Sequence, residues 1–433
     1  MLKKIFKKNN GNAKQVSVKD HKIRPEQFSK LARDIVYNLQ SKGYEAYIVG
    51  GCIRDLLSGI KPKDFDVATN ATPEQVTRLF PRSRIIGRRF RIVHVRKGRE
   101  LIEVTTFRAH HTQGKARQGQ QSHSGILVRD NVYGSLEEDA RRRDFSCNSF
   151  YYDPKTETIF DLCGGFSDLD ESTLRTIGDP YERFKEDPVR MLRAVRFEAK
   201  LGLQLDEDSC DALSVNRHMM TEVSPARLFD EVIKVLLNES ADKAFAQLVD
   251  TGLFAQLFPA TAEAIEAEPQ SKLLIENAMR NTVQRIRQDK KVAPFFLYAA
   301  LLWPPTKLAF DEFCSRGIAP QEAMDKAARI SLERQSARIT IPKRFSVPIA
   351  EVWKMQIYLS KTSPNRAART AKHSRFRAGY DFLLLREESG IQTNGLGQWW
   401  TEYQEKNPIE PAPVTPRKTK RRPRRNRPTK KPA

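Results

Sequence analysis

The chain has 433 residues, 39% of them hydrophobic, so it can bury cores in about two to four domains and is not wholly disordered. It carries 75 Lys and Arg against 53 Asp and Glu, and the net charge of +22 favours a partner with many negative charges. No apolar run reaches the ~20 residues of a membrane-spanning helix, and the N-terminus lacks the pattern of a secretory signal, so a cytoplasmic protein is expected.

The N-terminal part of the chain alternates helix and strand signals. Residues 1–25 are polar and basic without sustained periodicity, and they are predicted to form an arm. Apolar residues at three-to-four spacing over 28–39 predict an amphipathic helix. The segments predicted after it are a strand at 45–49, a glycine turn at 50–51, a helix start at 52–57, a second strand at 64–68 and a capped helix start at 72–75.

Further hairpins and helices follow. The β-rich runs 90–95 and 101–106 are predicted to pair as a hairpin. Ser135 and Glu138 form a capping-box pattern that opens a short helix, and a second hairpin follows it. From Asp179 onward the strand signals fade and successive helical patterns take over.

These patterns predict an α+β head with a mixed β-sheet, then an all-α neck and body, then a disordered basic tail. After Glu410 the chain has no acidic residue and ten Lys and Arg residues, which is why a disordered tail is expected. The predicted divisions are an arm at 1–25, a head at 26–165, a neck at 166–222, a body at 223–400 and a tail at 401–433.

Asp64 and Asp66 are the residues with the clearest chemical meaning. On a strand, alternate side chains share a face, so two carboxylates would lie side by side. Paired carboxylates suit Mg²⁺, and a two-metal site supports in-line phosphoryl transfer. The turn Gly50-Gly51 would offer backbone amides to a phosphate, with Arg54 adding charge. Each feature alone is usually surface polarity or a simple turn, whereas the combination at this spacing is rare.

Five ordered motifs carry a resemblance to a known family. They are Val49-Gly-Gly-Cys-Ile-Arg-Asp-Leu-Leu57, Lys63-Asp-Phe-Asp-Val67, Ile102-Glu-Val-Thr-Thr-Phe-Arg108, Arg142-Arg-Asp-Phe-Ser-Cys-Asn148 and Glu186-Asp-Pro-Val-Arg-Met-Leu-Arg-Ala-Val-Arg-Phe197. With these motifs the chain resembles the class II nucleotidyltransferases, which comprise bacterial poly(A) polymerases and tRNA CCA-adding enzymes. The resemblance covers roughly residues 45–200 and implies a nucleotidyltransferase fold in the head.

The resemblance implies a metal site and a phosphate site in the head. Asp64 and Asp66 would bind the catalytic metals, expected to be two Mg²⁺ ions for which Mn²⁺ can substitute. Gly50, Gly51 and Arg54 would lie against the phosphates of the substrate ATP. Asp64 and Asp66 are therefore both the metal ligands and the first two catalytic residues.

A third carboxylate is implied, and the sequence leaves two choices. Asp144 would be a further catalytic residue, or it is a structural ion-pair partner of the arginines around it. Glu103 competes for the same role, because its strand leads toward the same edge, or it stabilises the fold. Arg142 or Arg143 would touch the ribose or the triphosphate.

The motif that begins at Glu186 has both a structural and a functional interpretation. Asp187 is a good helix N-cap, because a proline follows it. The resemblance implies that Asp187 and Arg190 bind the edge of the incoming base, with Glu186 orienting the arginine. Arg190 and Arg193 lie on one stripe of the helix, which is either a solvated face or a lining of the nucleotide site.

Within the family, two features favour the poly(A) polymerase branch. The segment around Gly87-Arg-Arg-Phe90 is similar to the bacterial poly(A) polymerase version of this region, and the basic tail resembles that branch too. The predicted activity is template-independent addition of AMP from ATP to RNA 3′ ends, with release of pyrophosphate, in polyadenylation and RNA decay. The alternatives are a tRNA CCA-adding enzyme and a non-catalytic RNA-binding protein on the same scaffold.

The expected partners follow from the charge and from the resemblance. The basic tail would bind RNA phosphates, or it is a solubilising terminus. The resemblance suggests an RNA chaperone and RNA degradation machinery as protein partners, and the enzyme is expected to be a monomer. The residues of the tail predicted to bind RNA are Arg417, Lys418, Lys420, Arg421, Arg422, Arg424 and Arg425.

Overall fold

The structure, a computed structural model, describes residues 14–87, 91–109, 119–121, 127–130 and 132–407. Twelve strands lie within these ranges. They are β1 (Lys14–Val16), β2 (Ala46–Val49), β3 (Asp66–Thr69), β4 (Ser83–Ile86), β5 (Ile92–Lys97), β6 (Glu100–Thr106), β7 (Gly119–Gln121), β8 (Leu127–Asp130), β9 (Phe150–Asp153), β10 (Thr158–Asp161), β11 (Thr173–Leu174) and β12 (Gln204–Leu205).

The described residues also form 21 α-helices, most of them after the last long strand. The first nine are α1 (Val18–His21), α2 (Lys30–Ser41), α3 (Gly51–Leu57), α4 (Pro73–Leu79), α5 (Leu136–Arg141), α6 (Gly165–Asp170), α7 (Pro180–Glu186), α8 (Val189–Leu201) and α9 (Glu207–Asn216). The next are α10 (Pro225–Leu236), α11 (Ala241–Asp250), α12 (Leu253–Leu257), α13 (Pro259–Ala267), α14 (Ser271–Arg287), α15 (Pro294–Leu301) and α16 (Trp303–Ser315). The last are α17 (Pro320–Arg338), α18 (Lys343–Leu359), α19 (Pro364–Ala371), α20 (Phe376–Glu388) and α21 (Leu396–Lys406).

The head is built on one mixed eight-stranded sheet, in the order β1-β10-β9-β2-β3-β6-β5-β4. Strands β3 and β6 are parallel, and the other neighbours in this sheet are antiparallel. The predicted mixed sheet, the predicted hairpin β5–β6 and the all-α neck and body are confirmed.

Two predicted boundaries differ from the structure. Residues 14–25 were assigned to the arm, but β1 pairs with β10 as an edge strand, and Val16 and Ile23 are buried in the head core. These segments are too short to show periodicity, so only tertiary packing reveals them. At the other end, α21 continues to Lys406, past the predicted boundary at 400, because Trp400 is buried against Phe376. Residues 408–433 lie outside the described part.

Two helices of the head begin where their capping signals predict. Thr72 accepts a hydrogen bond from the backbone N–H of Gln75, whose side chain accepts one from the N–H of Thr72. Ser135 and Glu138 make the same reciprocal pair at the start of α5. Both predicted capping boxes are confirmed.

The large sheet has one core-facing side and one side that carries the polar motifs. Val67, Val93 and Ile102 are buried on the core side, together with Ile35 of α2 and Val76 of α4. Because side chains alternate along a strand, their neighbours point to the opposite side. Part of that opposite side is covered by α5.

The neck is packed tightly onto the head. Phe145 and Cys147 of the head form one buried cluster with Ala194 and Phe197 of α8. The body has its own large core, which runs from α7 to α20. Within the described residues, no helix is both long enough and apolar enough to cross a bilayer.

Gly165 offers a test of this packing, because a Cβ there would lie 2.5 Å from the carbonyl oxygen of Ser146 and 2.8 Å from the ring of Phe150. The substitution Gly165→Ala should therefore lower the free energy of unfolding by about 1–3 kcal/mol in urea denaturation. The control is Ser167→Ala, an exposed position in the same helix, which should stay within about 0.5 kcal/mol of the parent. Equal stability of the two variants would contradict the close approach.

Candidate active site

The glycine turn connects β2 to α3 and brings two guanidinium groups close to the backbone. Gly50 has φ +79° and ψ −136°, a conformation that side-chain-bearing residues rarely adopt. A Cβ at Gly50 would lie 3.3 Å from Nη1 of Arg143, and one at Gly51 would lie 3.2 Å from Nη2 of Arg54. The predicted turn is present, and both glycines leave room for an arginine.

Asp66 is the first residue of β3, and Asp64 precedes the strand. The predicted strand started at Asp64, which the structure corrects. The partner strand β2 ends at Val49, opposite Asp66, and the chain then turns at Gly50, so no backbone is available to pair with Asp64. Both aspartates are exposed to solvent.

Glu103 lies directly beside Asp66, in register across the parallel strands β6 and β3. Desolvation by the surrounding protein, the charge of Glu103 and, more weakly, that of Asp64 raise the pKa of Asp66 to about 6, while Arg143 opposes the shift. The site therefore has three carboxylates. Asp66 and Glu103 lie side by side on neighbouring strands, and Asp64 precedes Asp66 by two residues.

His94 is a site residue that the sequence reasoning missed. It lies opposite Glu103 in the β5–β6 hairpin, and its Nε2 is 3.1 Å from Oε1 of Glu103. The predicted hairpin contained the signal, because pairing about the Lys97-Gly98 turn aligns these two residues.

The carboxylates fit a hard divalent cation. Their oxygen-only donor set suits Mg²⁺, and a bound cation would offset the repulsion between Asp66 and the adjacent carboxylate of Glu103. Among the described residues, no three His, Cys, Asp or Glu side chains are grouped so that they could hold a metal on their own. Mg²⁺ commonly binds one or two carboxylates together with substrate phosphates, and Asp64 and Asp66 match that arrangement.

Arg54 is buried, although the sequence predicted it at the nucleotide phosphates. Its guanidinium donates to Oδ1 of Asp55 from Nε at 3.0 Å and from Nη2 at 2.5 Å, and Nη1 donates to the side-chain oxygen of Asn148. It also lies 4.9 Å from the centre of the Phe197 ring. Lys200 of α8 binds the other oxygen of Asp55 at 2.9 Å, so Arg54 belongs to a head–neck contact.

Asp144 is bound to Arg193 of α8, with Oδ2 2.6 Å from Nε and 2.5 Å from Nη2. Its other oxygen accepts from the backbone N–H of Phe145 and from the side-chain amide of Asn148. Burial opposes ionisation of Asp144, but the charge of Arg193 and these hydrogen bonds outweigh it and hold the pKa well below its ordinary value. The structural ion-pair alternative raised for Asp144 is present here.

Arg143 and Arg142 share Asp139, a buried residue of α5 that sequence reasoning also missed. Nη2 of Arg143 is 3.2 Å from Oδ2 of Asp139, and its Nε donates to the hydroxyl of Tyr151 at 2.9 Å. Nε of Arg142 is 3.9 Å from the other Asp139 oxygen. Although burial acts in the opposite direction, Tyr151 and Asp139 raise the pKa of Arg143, so it stays a cation beside Asp66.

Arg183 of α7 links the neck motif to the head. Nη1 donates to Oε2 of Glu186 at 2.5 Å, and Nη2 donates to the carbonyl oxygens of Arg142 and Arg143. Burial and the nearby charge of Arg190 lower the pKa of Arg183 to about 10. Glu186 accepts from Arg190 at 2.7 Å, which is the orienting contact that the resemblance implied.

Asp187 ends α7 as its C-cap, and Pro188 is the N-cap of α8, so the predicted N-cap lies one residue too early. Both oxygens of Asp187 accept from Arg227 of α10, at 2.7 and 2.8 Å. This bidentate pair joins the neck to the body and holds the carboxylate in one orientation. Arg227 was not predicted, because the partners are 40 residues apart in the chain.

Comparisons with known proteins show which family the chain belongs to. Residues 46–175 match the family model of the poly A polymerase head domain. Residues 202–265 match one described as "Probable RNA and SrmB- binding site of polymerase A", and residues 316–431 match the polymerase A arginine-rich C-terminus.

Individual relatives give the same result. Poly(A) polymerase I of Haemophilus influenzae is 43% identical over 391 residues, which are 89% of this chain and 86% of that protein. The CCA-adding enzyme of Geobacillus kaustophilus is 42% identical over 226 residues, 52% of this chain and 54% of that protein. The crystal structure of Bacillus stearothermophilus CCA-adding enzyme in complex with CTP has a TM-score of 0.53 and 26% identity, and covers 87% of this chain and 82% of that one.

The fold of the head and the carboxylates beside the glycine turn define a nucleotidyltransferase. Within that class, the chain belongs to the poly(A) polymerase I family, because it is similar to that protein over nearly the full length of both. The resemblance predicted from the five motifs is confirmed. The seven tail residues predicted to bind RNA lie outside the described residues.

The raised pKa of Asp66 leads to a dependence of stability on pH. Because the folded-state pKa of about 6 lies above the ordinary value of 3.8, ionising Asp66 opposes folding. Relative to Asp66→Asn, the metal-free parent should lose stability as the pH rises through this window and show no further change above it. Urea unfolding of both proteins in the presence of a chelator measures the difference.

Two further variants serve as controls, one that removes the neighbouring charge of Glu103 and one that removes a distant carboxylate. Glu103→Gln should move the loss to lower pH, because the adjacent negative charge is removed. Asp34→Asn, on α2, should leave the pH dependence as in the parent. A stability difference that stays constant between pH 3.8 and about 6 would contradict the raised pKa.

Proposed function

We propose that the protein transfers AMP from ATP to the 3′-hydroxyl of RNA and releases pyrophosphate. The observation that carries the proposal is the position of Asp66, between the Gly50 turn on one side and Glu103 on the other, with Asp64 two residues before it. This arrangement supports in-line attack of the hydroxyl on the α-phosphate of ATP. Family membership supports ATP and RNA as the two substrates.

Several residues of the site would stabilise the negative charge of the reacting phosphates. Asp64 and Asp66 would hold two Mg²⁺ ions, which supply charge neutralisation at the reacting phosphate and lower the pKa of the attacking hydroxyl. Arg143 adds a fixed positive charge beside the glycine turn, on the side where the triphosphate would lie. Its carboxylate and phenol partners hold the guanidinium in place before the substrate arrives.

The base would be selected by Asp187 and Arg190. The carboxylate accepts and the guanidinium donates, which matches a base edge that presents one donor and one acceptor, as adenine does. Cytosine offers the same pair, so the choice between the two bases depends on the orientation that Arg227 gives to Asp187. A carboxylate has about four acceptor positions, so Asp187 can bind both Arg227 and a base. A base with the wrong pattern would leave buried polar groups unpaired, which is a strong source of discrimination.

RNA would be held by the helical body and by the basic tail. The net charge of +22 supports a phosphate-rich partner, and the match of residues 202–265 supports RNA contacts near the neck. By analogy with its family we extend the proposal to an RNA chaperone or RNA degradation machinery as protein partners.

A CCA-adding activity is the second candidate, because a CCA-adding enzyme is 42% identical to this chain. That similarity covers 52% of this chain, whereas the poly(A) polymerase I similarity covers 89% and includes the body. Polyadenylation is therefore the better supported activity. Incubation with RNA and each nucleotide separately distinguishes the two, because only a CCA-adding enzyme would add CMP to tRNA ends.

Asp64→Ala and Asp66→Ala should each lower AMP incorporation by at least about 100-fold, because each removes a metal-binding carboxylate. Binding of labelled RNA without ATP should stay within about twofold, since electrostatic contacts elsewhere provide it. Incorporation is measured with labelled ATP and an oligoadenylate primer. Asp34→Asn is the control for loss of a surface carboxylate, and full incorporation by Asp66→Ala would reject the proposed site.

Arg227→Ala should reduce the preference for ATP over CTP by about 10–100-fold in kcat/KM, because Asp187 loses the pair that orients it. Arg227→Lys should be intermediate, since lysine keeps the charge but not the bidentate geometry. Single-nucleotide incorporation with ATP and CTP measures the ratio. An unchanged ratio in the alanine variant, with KM for RNA raised instead, would place Arg227 in RNA binding.

A further inference from the structure

A row of polar side chains runs from the catalytic carboxylates to the edge of the large sheet. Asp66 of β3 is paired with Glu103 of β6, and Glu103 with His94 of β5. His94 is in turn paired with Arg84 of β4, the edge strand. Side chains of paired residues point to the same side of a sheet, so the four form one line across three strand spacings, about 14 Å long.

Among the described residues, this side of the sheet is exposed to solvent at the edge strand β4. Along β5 the buried residues Val93 and Val95 face the core, and His94 between them is only partly buried. Arg84 is exposed. The helix α4 packs on the opposite, core side, where Val76 is buried. A ligand can therefore lie along the row from the solvent side.

The charge changes sign along the row. Asp66 and Glu103 are acidic, the imidazole of His94 is hydrogen-bonded to Glu103 at 3.1 Å, and Arg84 is a cation. In the portion of the chain that the structure describes, the guanidinium of Arg84 has no hydrogen bond or ion pair with the protein. An exposed guanidinium without an internal partner is available to a phosphate.

The in-line geometry of the reaction indicates whether Arg84 would bind a phosphate of the nucleotide or of the RNA. This inference rests on the proposed function. Attacking and leaving oxygens lie on opposite sides of the reacting phosphorus. The glycine turn and Arg143 lie on the β2 side of Asp66, and they would hold the leaving pyrophosphate there. The attacking RNA end then has to approach from the β6–β5–β4 side.

We propose that the outer strands of the sheet are the track along which the RNA 3′ end reaches the active site. Arg84 binds a backbone phosphate of the RNA close to that end. His94 is a positioning residue, which holds the carboxylate of Glu103 on the side of the attacking hydroxyl. Neither residue contacts the nucleotide that is transferred.

Arg84→Gln tests the phosphate contact, with Arg78→Gln as the matched control. Arg78 is also an exposed arginine without a partner among the described residues, but it lies on α4, on the far side of the sheet. We expect Arg84→Gln to raise KM for an oligoadenylate primer about three- to tenfold and to leave KM for ATP unchanged. The salt dependence of primer binding, measured by fluorescence anisotropy without ATP, should become shallower by about 0.7 in log–log slope. Arg78→Gln should match the parent in each measurement.

A photocrosslink localises the contact independently of any reaction. RNA with 4-thiouridine as its last nucleotide should crosslink to residues of β4 or β5 (83–86 and 92–97) in the parent and less to them in Arg84→Gln. Crosslinks confined to the neck or body, or a rise in KM for ATP alone, would overturn the proposal. Because binding and crosslinking need no incorporation, a protein that adds CMP, or nothing, refutes the proposed function and leaves this test valid.

His94→Ala and His94→Gln test the positioning role. The alanine variant should lower kcat about 10–100-fold with little change in KM for ATP, because Glu103 loses its hydrogen-bond partner. Glutamine offers a replacement N–H donor and should restore part of kcat. If His94 only stabilises the fold, both variants will lower the melting temperature, and neither will lower kcat selectively while leaving KM unchanged. That result would overturn the positioning role of His94.

Discussion

The active-site geometry depends on a buried charge network that fixes the neck helix to the head. Asp144 binds Arg193, and Asp55 binds Lys200, so two carboxylates of the head are each paired with a cation of α8. Asn148 connects the two pairs, since it contacts both Asp144 and Arg54. Arg54 and Asp55 are both buried, and removing one partner from such an ion pair costs about 3–5 kcal/mol, whereas Lys200 is half-exposed and its pair contributes less. The position of α8 relative to the catalytic strand is therefore tightly defined.

In the proposed reaction, that constraint connects nucleotide binding to catalysis. Of the two proposed base-binding residues, Asp187 ends α7 and Arg190 lies in the first turn of α8, while Arg193 is further along α8. Arg183 adds a second link, because it bonds backbone carbonyls of the head and the Glu186 carboxylate that orients Arg190. A base recognised in the neck is consequently held at a fixed distance from the carboxylates of the head.

Much of this fold was predictable from local sequence, and the reasons are visible in particular residues. The capping boxes at Thr72 and Ser135 and the Gly50 turn depend on residues within three or four positions of each other, so the sequence contains the whole signal. Arg227 could not be assigned to Asp187, because tertiary packing alone brings them together. The same limit applies to β1, an edge strand of three residues whose only signal is its partner β10.

An arginine in one of the family motifs does not by itself have a guanidinium free to bind phosphate. Arg54 lies in the glycine motif, yet its guanidinium is buried and bonded to Asp55 and Asn148. Arg193 likewise has its own carboxylate in Asp144. Such arginines act mainly by holding backbone and carboxylates in place. They support the glycine turn and its neighbours with donors that are then not free for a ligand. A guanidinium that binds substrate needs N–H donors that are not already used inside the protein. Exposed arginines such as Arg84 meet this condition better than the arginines of the motifs, although Arg84 belongs to none of the five motifs.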